Sequence, residues 1–343
     1  MNNAMKFSAT LIAMALAGCG GGGGGGGGSS TPSTPNTGGS STPNPGNLAA
    51  SVPAPTYAAN SAELAAFNAL QSMRQSGGYG LLTQQTTLDN AAAAHVSYYI
   101  LNGFPGGYMD NSGPAFIFQG VNSAHYEAVG YPGFTGTTPL ARIVAAGYSG
   151  NYSGEAIAYP DGQLSKGTSA AALSGQNCVD LFANTVYHRL VLIDPNMRDV
   201  GIGYQVAAKG TAVCDIEVAA NAQSVTPDGF LAVMPLPNAT VTTALVAEDP
   251  APVPASKTKA FPVSLMIGLK HTLVVTSFTL KDAAGLNVPG VILTTKTDDN
   301  IYTGNVAFFV PTQAYVSGMT YTASFVGTDE GQPINKTWSY KAQ

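Results

Sequence analysis

The apolar residues of the first folded segments recur every three or four positions, which is the period of an amphipathic helix. A helix is predicted to start at Asn60 as its N-cap and to end at Gly77. Its apolar face is formed by Leu64, Phe67, Leu70 and Met73. A second helix is predicted over residues 88–101, with His95 on its buried stripe. The chain therefore opens with two helices that need a common core.

The next part of the chain mixes loop, helix and strand patterns. Residues 103–138 are rich in Gly, Pro and aromatic residues without a sustained period, which predicts a long functional loop. Short helices are predicted from Pro139 and over residues 169–184, and strands over residues 200–206 and 211–219. Alternation in the last strand points Cys214 toward the core and the preceding helix. This half of the chain is predicted to be an α+β domain.

From residue 261 the pattern changes to a period of two. Residues 273–280 and 319–325 alternate between apolar and polar side chains, and turn residues recur about every ten positions. This pattern predicts a small all-β, Ig-like sandwich over residues 257–343, with Trp338 in its core. The preceding residues 227–256 are rich in proline and are predicted to be a semi-rigid linker.

The first residues have the pattern of an export signal. The apolar run at residues 7–16 is too short to cross a bilayer, so residues 1–18 are predicted to be a signal peptide. Leu16-Ala17-Gly18-Cys19 matches the bacterial lipobox, which predicts cleavage before Cys19 and a lipid on its thiol. The alternative is an ordinary signal peptide that is cut elsewhere. Residues 19–56, mostly Gly, Ser, Thr and Pro, are predicted to be a disordered tether.

Location and charge limit the classes of function. A lipidated Cys19 followed by Gly20 rather than Asp predicts a bacterial cell-envelope protein held at the outer membrane. Only 10% of the 343 residues are charged, the formal net charge is −5, and no basic cluster is present, which argues against nucleic-acid partners. Export favours disulfides, and Cys178 and Cys214 are the one pair left after lipidation. Metal ligation by these two cysteines is the poorer alternative, because neither is in a Cys-x-x-Cys motif.

Ionisable residues are sparse, and three of them stand out between residues 124 and 203. They are His125, Glu155 and His188, with Glu127 two positions after His125. Two imidazoles and one or two carboxylates, brought together by a fold, can bind a divalent metal or move protons. Glu155 is expected to raise the histidine pKa values above about 6.5, unless burial or a metal keeps the rings neutral.

The order of these residues, together with the glycine-rich pieces between them, resembles the bacterial branch of the CAP superfamily (SCP domain). The pieces are His125-Tyr126-Glu127, Pro132-Gly133-Phe134-Thr135-Gly136, Ala145-Ala146-Gly147-Tyr148, Gly154-Glu155, His188-Arg189 and Gly201-Ile202-Gly203-Tyr204. The resemblance implies an α-β-α sandwich over residues 57–226, with a central cleft that holds two histidines and two acidic residues.

His125, Glu155 and His188 fall on three of the four cleft positions that the resemblance implies. Asn184 and Thr185 lie where many relatives place the second acid. Glu127 or Asp180 would have to replace it. Relatives often carry a histidine at the position of His95, which is expected to be a hydrogen-bonded core or cleft-wall residue rather than a ligand.

The sequence and this resemblance lead us to expect one of two functions. The preferred one is a surface-tethered binding protein for an apolar or extracellular ligand, in a cleft walled by aromatic residues such as Tyr126, Tyr148 and Tyr187. It has no catalytic residues, and its polar site is structural or binds zinc or another divalent metal. The alternative is a metal-dependent hydrolase with His125, Glu155 and His188 as ligands and Glu127 as the base. No His-Glu-x-x-His helix supports this alternative.

Overall fold

A four-stranded sheet lies between two layers of helices in the first half of the chain. The computed structural model describes residues 43–103, 112–158, 175–207, 212–243, 248, 250–253 and 260–343. The helices are α1 (Ala62–Gly77), α2 (Thr86–Asn102), α3 (Pro139–Ala145), α4 (Gly175–Ala183) and α5 (Tyr187–Ile193). The sheet has the order β1-β5-β6-β4, with β1 at Thr83–Gln84, β4 at Tyr152–Ala158, β5 at Asp199–Val206 and β6 at Ala212–Ala220. A short hairpin of β2 (Ile117–Phe118) and β3 (Val121–Asn122) precedes α3.

The N-cap of α1 is Ser61 rather than Asn60. The Ser61 hydroxyl accepts a hydrogen bond from the Leu64 N–H at 3.1 Å, whereas Asn60 has a φ of +64° and belongs to the preceding turn. The helix ends at Gly78, whose φ of 72° is the left-handed conformation that glycine adopts at low cost.

Side chains alternate between the two faces of the sheet, and both faces are covered. On β6, Cys214, Ile216 and Val218 pack against α1 and α4, while Val213 and Ala219 pack with residues of α2. Gly201 on β5 allows α2 to approach, because a Cβ there would lie 2.1 Å from the Leu88 carbonyl carbon. These layers form the predicted α-β-α sandwich.

The predicted disulfide is confirmed. Cys178 on α4 and Cys214 on β6 are joined, with 6.4 Å between their Cα atoms. The bond fixes α4 to the central strand of the sheet, next to the segment that leads to α5.

The second half of the described chain is all-β, as predicted. One sheet has the order β10-β13-β14-β8 and the other β11-β12-β9-β7. The strands are β7 (Leu231–Met234), β8 (Thr240–Val241), β9 (Val263–Ile267), β10 (Leu273–Lys281), β11 (Gly290–Leu293), β12 (Val306–Pro311), β13 (Thr320–Asp329) and β14 (Gln332–Ala342). Trp338 is buried in this core beside Phe278, and its indole N–H donates to the Pro235 carbonyl at 2.9 Å.

Two predicted boundaries differ from the structure. The predicted linker supplies β7 and β8, because its prolines flank short apolar segments that pair with β9 and β14. The predicted tether extends to residue 56, but its last ten residues, 47–56, are hydrogen-bonded to the first domain. There the Asn47 N–H donates to the Val225 carbonyl at 2.8 Å and the Thr56 N–H to Gln84 Oε1 at 2.6 Å. The predicted signal peptide, Cys19 and the rest of the tether lie outside the described residues.

Helix α5 connects the two halves within the unit Pro45–Gln343. Val186, Leu190 and Ile193 pack into one core with apolar residues of β9 and β12. On its other side α5 contacts α4 and β4. The position of α5, which carries His188, therefore depends on both halves of the chain.

Candidate functional site

His125 and Glu155 form the first part of the site. Glu155 lies in the middle of β4, opposite Glu217 on β6, and its side chain is buried. His125 lies in a turn after β3, and its Nδ1 is 2.6 Å from Glu155 Oε1. Arg142, on α3, holds both residues: it donates from Nη2 to Glu155 Oε2 and from Nη1 to the His125 carbonyl at 3.0 Å. The ring of His125 is therefore oriented by a buried carboxylate.

His188 forms the second part, close to the first. It lies in the first turn of α5, and the centroid of its ring is 6.0 Å from that of His125. The Phe182 ring packs on it at 5.3 Å. The structure thus brings together three residues predicted from the sequence, His125, Glu155 and His188.

The acid beside His188 is Glu248, which lies in the predicted linker. Its Oε1 is 3.1 Å from His188 Nδ1, within ion-pair distance but without the geometry of a hydrogen bond. Its two oxygens accept the backbone N–H groups of Val186, Tyr187 and His188 at 2.7–3.0 Å. Only 2% of the Glu248 side chain is exposed. The one signal for it in the sequence is an acidic pair, Glu248-Asp249, inside an otherwise apolar and proline-rich stretch.

The two imidazoles are partly exposed to solvent. The His125 side chain is 29% exposed and that of His188 is 15% exposed. Within the described part of the chain, neither Nε2 has a hydrogen-bond partner. Burial lowers the pKa of His125 to about 3, with His188, Arg142 and His95 acting in the same direction. The pKa of His125 is therefore shifted in the opposite direction to the one expected from Glu155, which favours the neutral ring.

Glu127 and His95 lie in the core and not at the opening. Glu127 is fully buried and accepts hydrogen bonds from the Thr135 N–H at 2.6 Å and the Thr135 hydroxyl at 3.2 Å. His95 Nδ1 is 2.9 Å from Glu127 Oε1, and its Nε2 is 3.0 Å from the Ala124 carbonyl. Burial lowers the pKa of His95 to about 4. Burial alone would raise the pKa of Glu127, but hydrogen bonds from His95 and Thr135 bring it below its usual value.

The three tyrosines expected in the cleft wall occupy different places. Tyr148 is buried with Leu88 and Ile143, and its hydroxyl donates to Asp199 at 2.6 Å, so it is a core residue. The Tyr187 hydroxyl donates to Asp298 of the β-sandwich at 2.6 Å and helps to hold α5. Tyr126 follows His125 directly and packs against the Phe118 ring at 5.5 Å.

Asp180, the other candidate for the second acid, lines a different region. It is exposed on α4 and contributes to a cavity of about 800 Å³ between α1, α4 and the segment from β7 to β8. His125, Glu155 and His188 do not line this cavity. Asp180 is therefore not a partner of either histidine in the described structure.

Two further acids lie behind the site and were missed by the sequence analysis. Asp215 and Glu217 point from β6 toward the α2 side of the sheet, and both are fully buried. Burial raises the pKa of Asp215 well above its usual range, and the charge of Glu217 adds to this effect. Burial likewise raises the pKa of Glu217 to about 7, against the opposing effect of Arg142. Alternation along β6 would have placed both side chains in solvent if α2 did not cover that face.

Comparison with known proteins identifies the fold of this domain. Residues 67–216 match the family model described as CAP, the cysteine-rich secretory protein family. Fifteen chains of solved structures match. One of them, an outer surface protein from Borrelia burgdorferi, is 17% identical, with a TM-score of 0.31, and the match covers 46% of this chain and 90% of that chain. No curated protein matches the chain. The matched residues include His125, Glu155 and His188, so the α-β-α domain that holds them is a CAP domain.

Proposed function

We propose that this protein binds a divalent metal ion of the zinc type through the Nε2 atoms of His125 and His188, and uses the bound ion to hold an extracellular ligand in the CAP cleft. One observation carries the proposal. Two partly exposed imidazoles, 63 positions apart in the sequence, face each other at 6.0 Å, each with a buried carboxylate at its Nδ1.

The residues fit such an ion. Histidine ligands of metals usually turn their second nitrogen to a carboxylate or carbonyl, which fixes the ring and the tautomer. In a tetrahedral site with zinc–nitrogen bonds of about 2.0–2.1 Å, the centroids of two imidazole ligands are about 5 Å apart. A small rotation of either ring brings the observed distance of 6.0 Å to this value. The lowered pKa of His125 also supports the proposal, because a metal needs the neutral imidazole.

Glu155 and Glu248 orient the rings in this proposal and are not ligands of the zinc ion. Both oxygens of Glu155 are engaged by His125 and Arg142, and those of Glu248 by the start of α5. The protein thus supplies two nitrogen ligands and leaves further positions of the ion to water or to a donor atom of the ligand. A bound zinc ion would act there as a Lewis acid that attracts an anionic or carbonyl oxygen.

The burial of Glu127 favours a ligand-binding function over a hydrolytic one. A metal-dependent hydrolase needs a base beside the metal-bound water. The carboxylate of Glu127, the sequence candidate for that base, is fully buried and bonded to His95, Thr135 and Gly136.

The same proposal places the protein in the bacterial cell envelope, anchored by a lipid on Cys19. Its support is the sequence Leu16-Ala17-Gly18-Cys19 after a short apolar run. None of the described helices is both long and apolar enough to cross a membrane. In this arrangement the residues between Cys19 and the first domain act as a spacer.

A zinc titration by calorimetry tests the metal site. The wild type is expected to bind one equivalent of zinc, and His125→Ala and His188→Ala are each expected to weaken binding at least tenfold. His271→Ala is the matched control, because His271 also pairs with a carboxylate, Asp329 Oδ1 at 2.6 Å, but lies in the β-sandwich. Equal zinc affinity in all four proteins would reject the site.

A further inference from the structure

Three carboxylates converge behind the histidine pair, at the α2 side of the sheet. Asp215 and Glu217 are two positions apart on β6 and share one face, and Glu155 pairs with Glu217 across β4 and β6. One oxygen from each of the three side chains lies within 4.8 Å of the others. All three side chains are buried.

Two of these carboxylates accept no hydrogen bond in the described structure. Neither oxygen of Asp215 and neither oxygen of Glu217 accepts a hydrogen bond from any described residue, and both side chains are fully buried. Buried polar atoms are nearly always paired, and a buried ionised carboxylate without a partner is very costly. Four unpaired oxygens at one place therefore indicate that something is bound between them.

The local charges indicate a cation. Four carboxylates meet in this part of the core: Glu127, Glu155, Asp215 and Glu217. Among the described residues, Arg142 is the one Arg or Lys within ion-pair distance of any of them. Its guanidinium is bonded to Glu155 and lies 3.7 Å from Glu217. One positive charge cannot balance four negative ones, whereas a divalent cation adds two.

We infer that Glu155, Asp215 and Glu217 form a second cation site, which takes a hard divalent ion such as Ca²⁺ or Mn²⁺. The donor set consists of oxygens alone, which suits these ions and not zinc. Two oxygens that bind the same Ca²⁺ ion with bonds of about 2.3–2.6 Å can be at most about 4.6–5.2 Å apart, and the three oxygens here lie within 4.8 Å of one another. Mg²⁺ fits less well, because it retains several waters and this site is enclosed by protein.

The role of this cation is to stabilise the structure around Glu155. It joins β4 to β6 behind Glu155, and so fixes the carboxylate that orients His125. The inference does not require the proposed zinc site. Glu155 contacts His125, but Asp215 and Glu217, which carry the unpaired oxygens, contact neither His125 nor His188 in the described structure.

The test uses the full chain with both imidazoles of the proposed zinc site removed, His125→Ala with His188→Ala, so that binding at that site cannot contribute. After dialysis against EDTA, this protein is titrated with Ca²⁺ and, separately, with Mn²⁺, by calorimetry and by melting temperature. We expect one equivalent of one of these ions to bind and to raise the melting temperature. If neither ion binds, the carboxylates hold protons instead, and the inference is wrong.

A second comparison assigns the binding to these residues. In the same background, Asp215→Asn with Glu217→Gln is expected to abolish binding, whereas the matched carboxylate-to-amide pair Asp282→Asn with Glu330→Gln, on exposed turns of the β-sandwich, leaves it unchanged. Binding that survives Asp215→Asn with Glu217→Gln would overturn the inference. If that variant does not fold, the titration of the protein with His125→Ala and His188→Ala decides alone.

Discussion

Replacing Glu248 tests whether the segment after β8 is part of the site. The Glu248 carboxylate accepts three backbone N–H groups at the start of α5 and faces His188 Nδ1, with 2% of its side chain exposed. Glu248→Gln keeps one carbonyl oxygen as an acceptor but loses the charge. Glu248→Ala leaves all three N–H groups without their acceptor and removes the carboxylate beside the imidazole.

The expected magnitudes follow from these contacts. Hydrogen bonds to a charged group contribute about 1.5–3 kcal/mol each, and they do not add in full when they share one acceptor. We therefore expect Glu248→Gln to lower the free energy of unfolding by about 2 kcal/mol. For Glu248→Ala we expect about 3–5 kcal/mol, the usual cost of breaking a buried ionic contact. Because Glu248 orients His188, zinc affinity should fall about 10- to 100-fold in both variants.

Urea unfolding and zinc calorimetry on the same preparations measure both effects. Glu330→Gln is the control, since Glu330 also accepts a backbone N–H, that of Thr272, but in an exposed turn, where a change within about 0.5 kcal/mol is expected. If Glu248→Gln kept the free energy of unfolding and the zinc affinity of the wild type, the proposed role of Glu248 would be refuted. A loss of stability with unchanged zinc affinity would show that Glu248 holds α5 without orienting His188.

Three further predictions use other parts of the chain. Replacing both Cys178 and Cys214 by Ala should lower the free energy of unfolding by up to about 4 kcal/mol, from the closure of a loop of 36 residues, and equal urea midpoints would contradict this. Because burial lowers the pKa of His95 to about 4, the wild type should lose about 3 kcal/mol of stability relative to His95→Gln as the pH falls from about 6.5 to 4, and parallel pH profiles of the two proteins would contradict this. Cys19→Ser should release the protein from the membrane fraction once its signal peptide is removed, and unchanged membrane association of the processed protein would exclude the lipid anchor.

The layers of the fold could be predicted because they depend on local patterns. Apolar spacing identified α1 and α2, and period-two alternation identified the strands of the β-sandwich. Alternation along β6 also placed Cys214 on the face that packs against α4, where it meets Cys178. The ordered motifs then indicated that His125, Glu155 and His188 come together.

The remaining features depend on contacts between segments that are distant in the sequence. The sequence predicts a linker around Glu248 because prolines flank it, and only the packing of α5 against the β-sandwich brings it to His188. Asp215 and Glu217 alternate with apolar residues, as solvent-facing side chains do, and only the position of α2 shows that they are buried. Glu127 was considered as a ligand or a base, but the loop that follows it returns to bind its carboxylate.

Zinc K-edge X-ray absorption on the full chain loaded with one equivalent of zinc tests the central claim, that His125 and His188 bind one ion. We expect two imidazole ligands with zinc–nitrogen distances of about 2.0–2.1 Å, and we expect one of them to be lost in His188→Ala. A first shell of oxygen atoms alone, or a spectrum that is unchanged in His188→Ala, would contradict it.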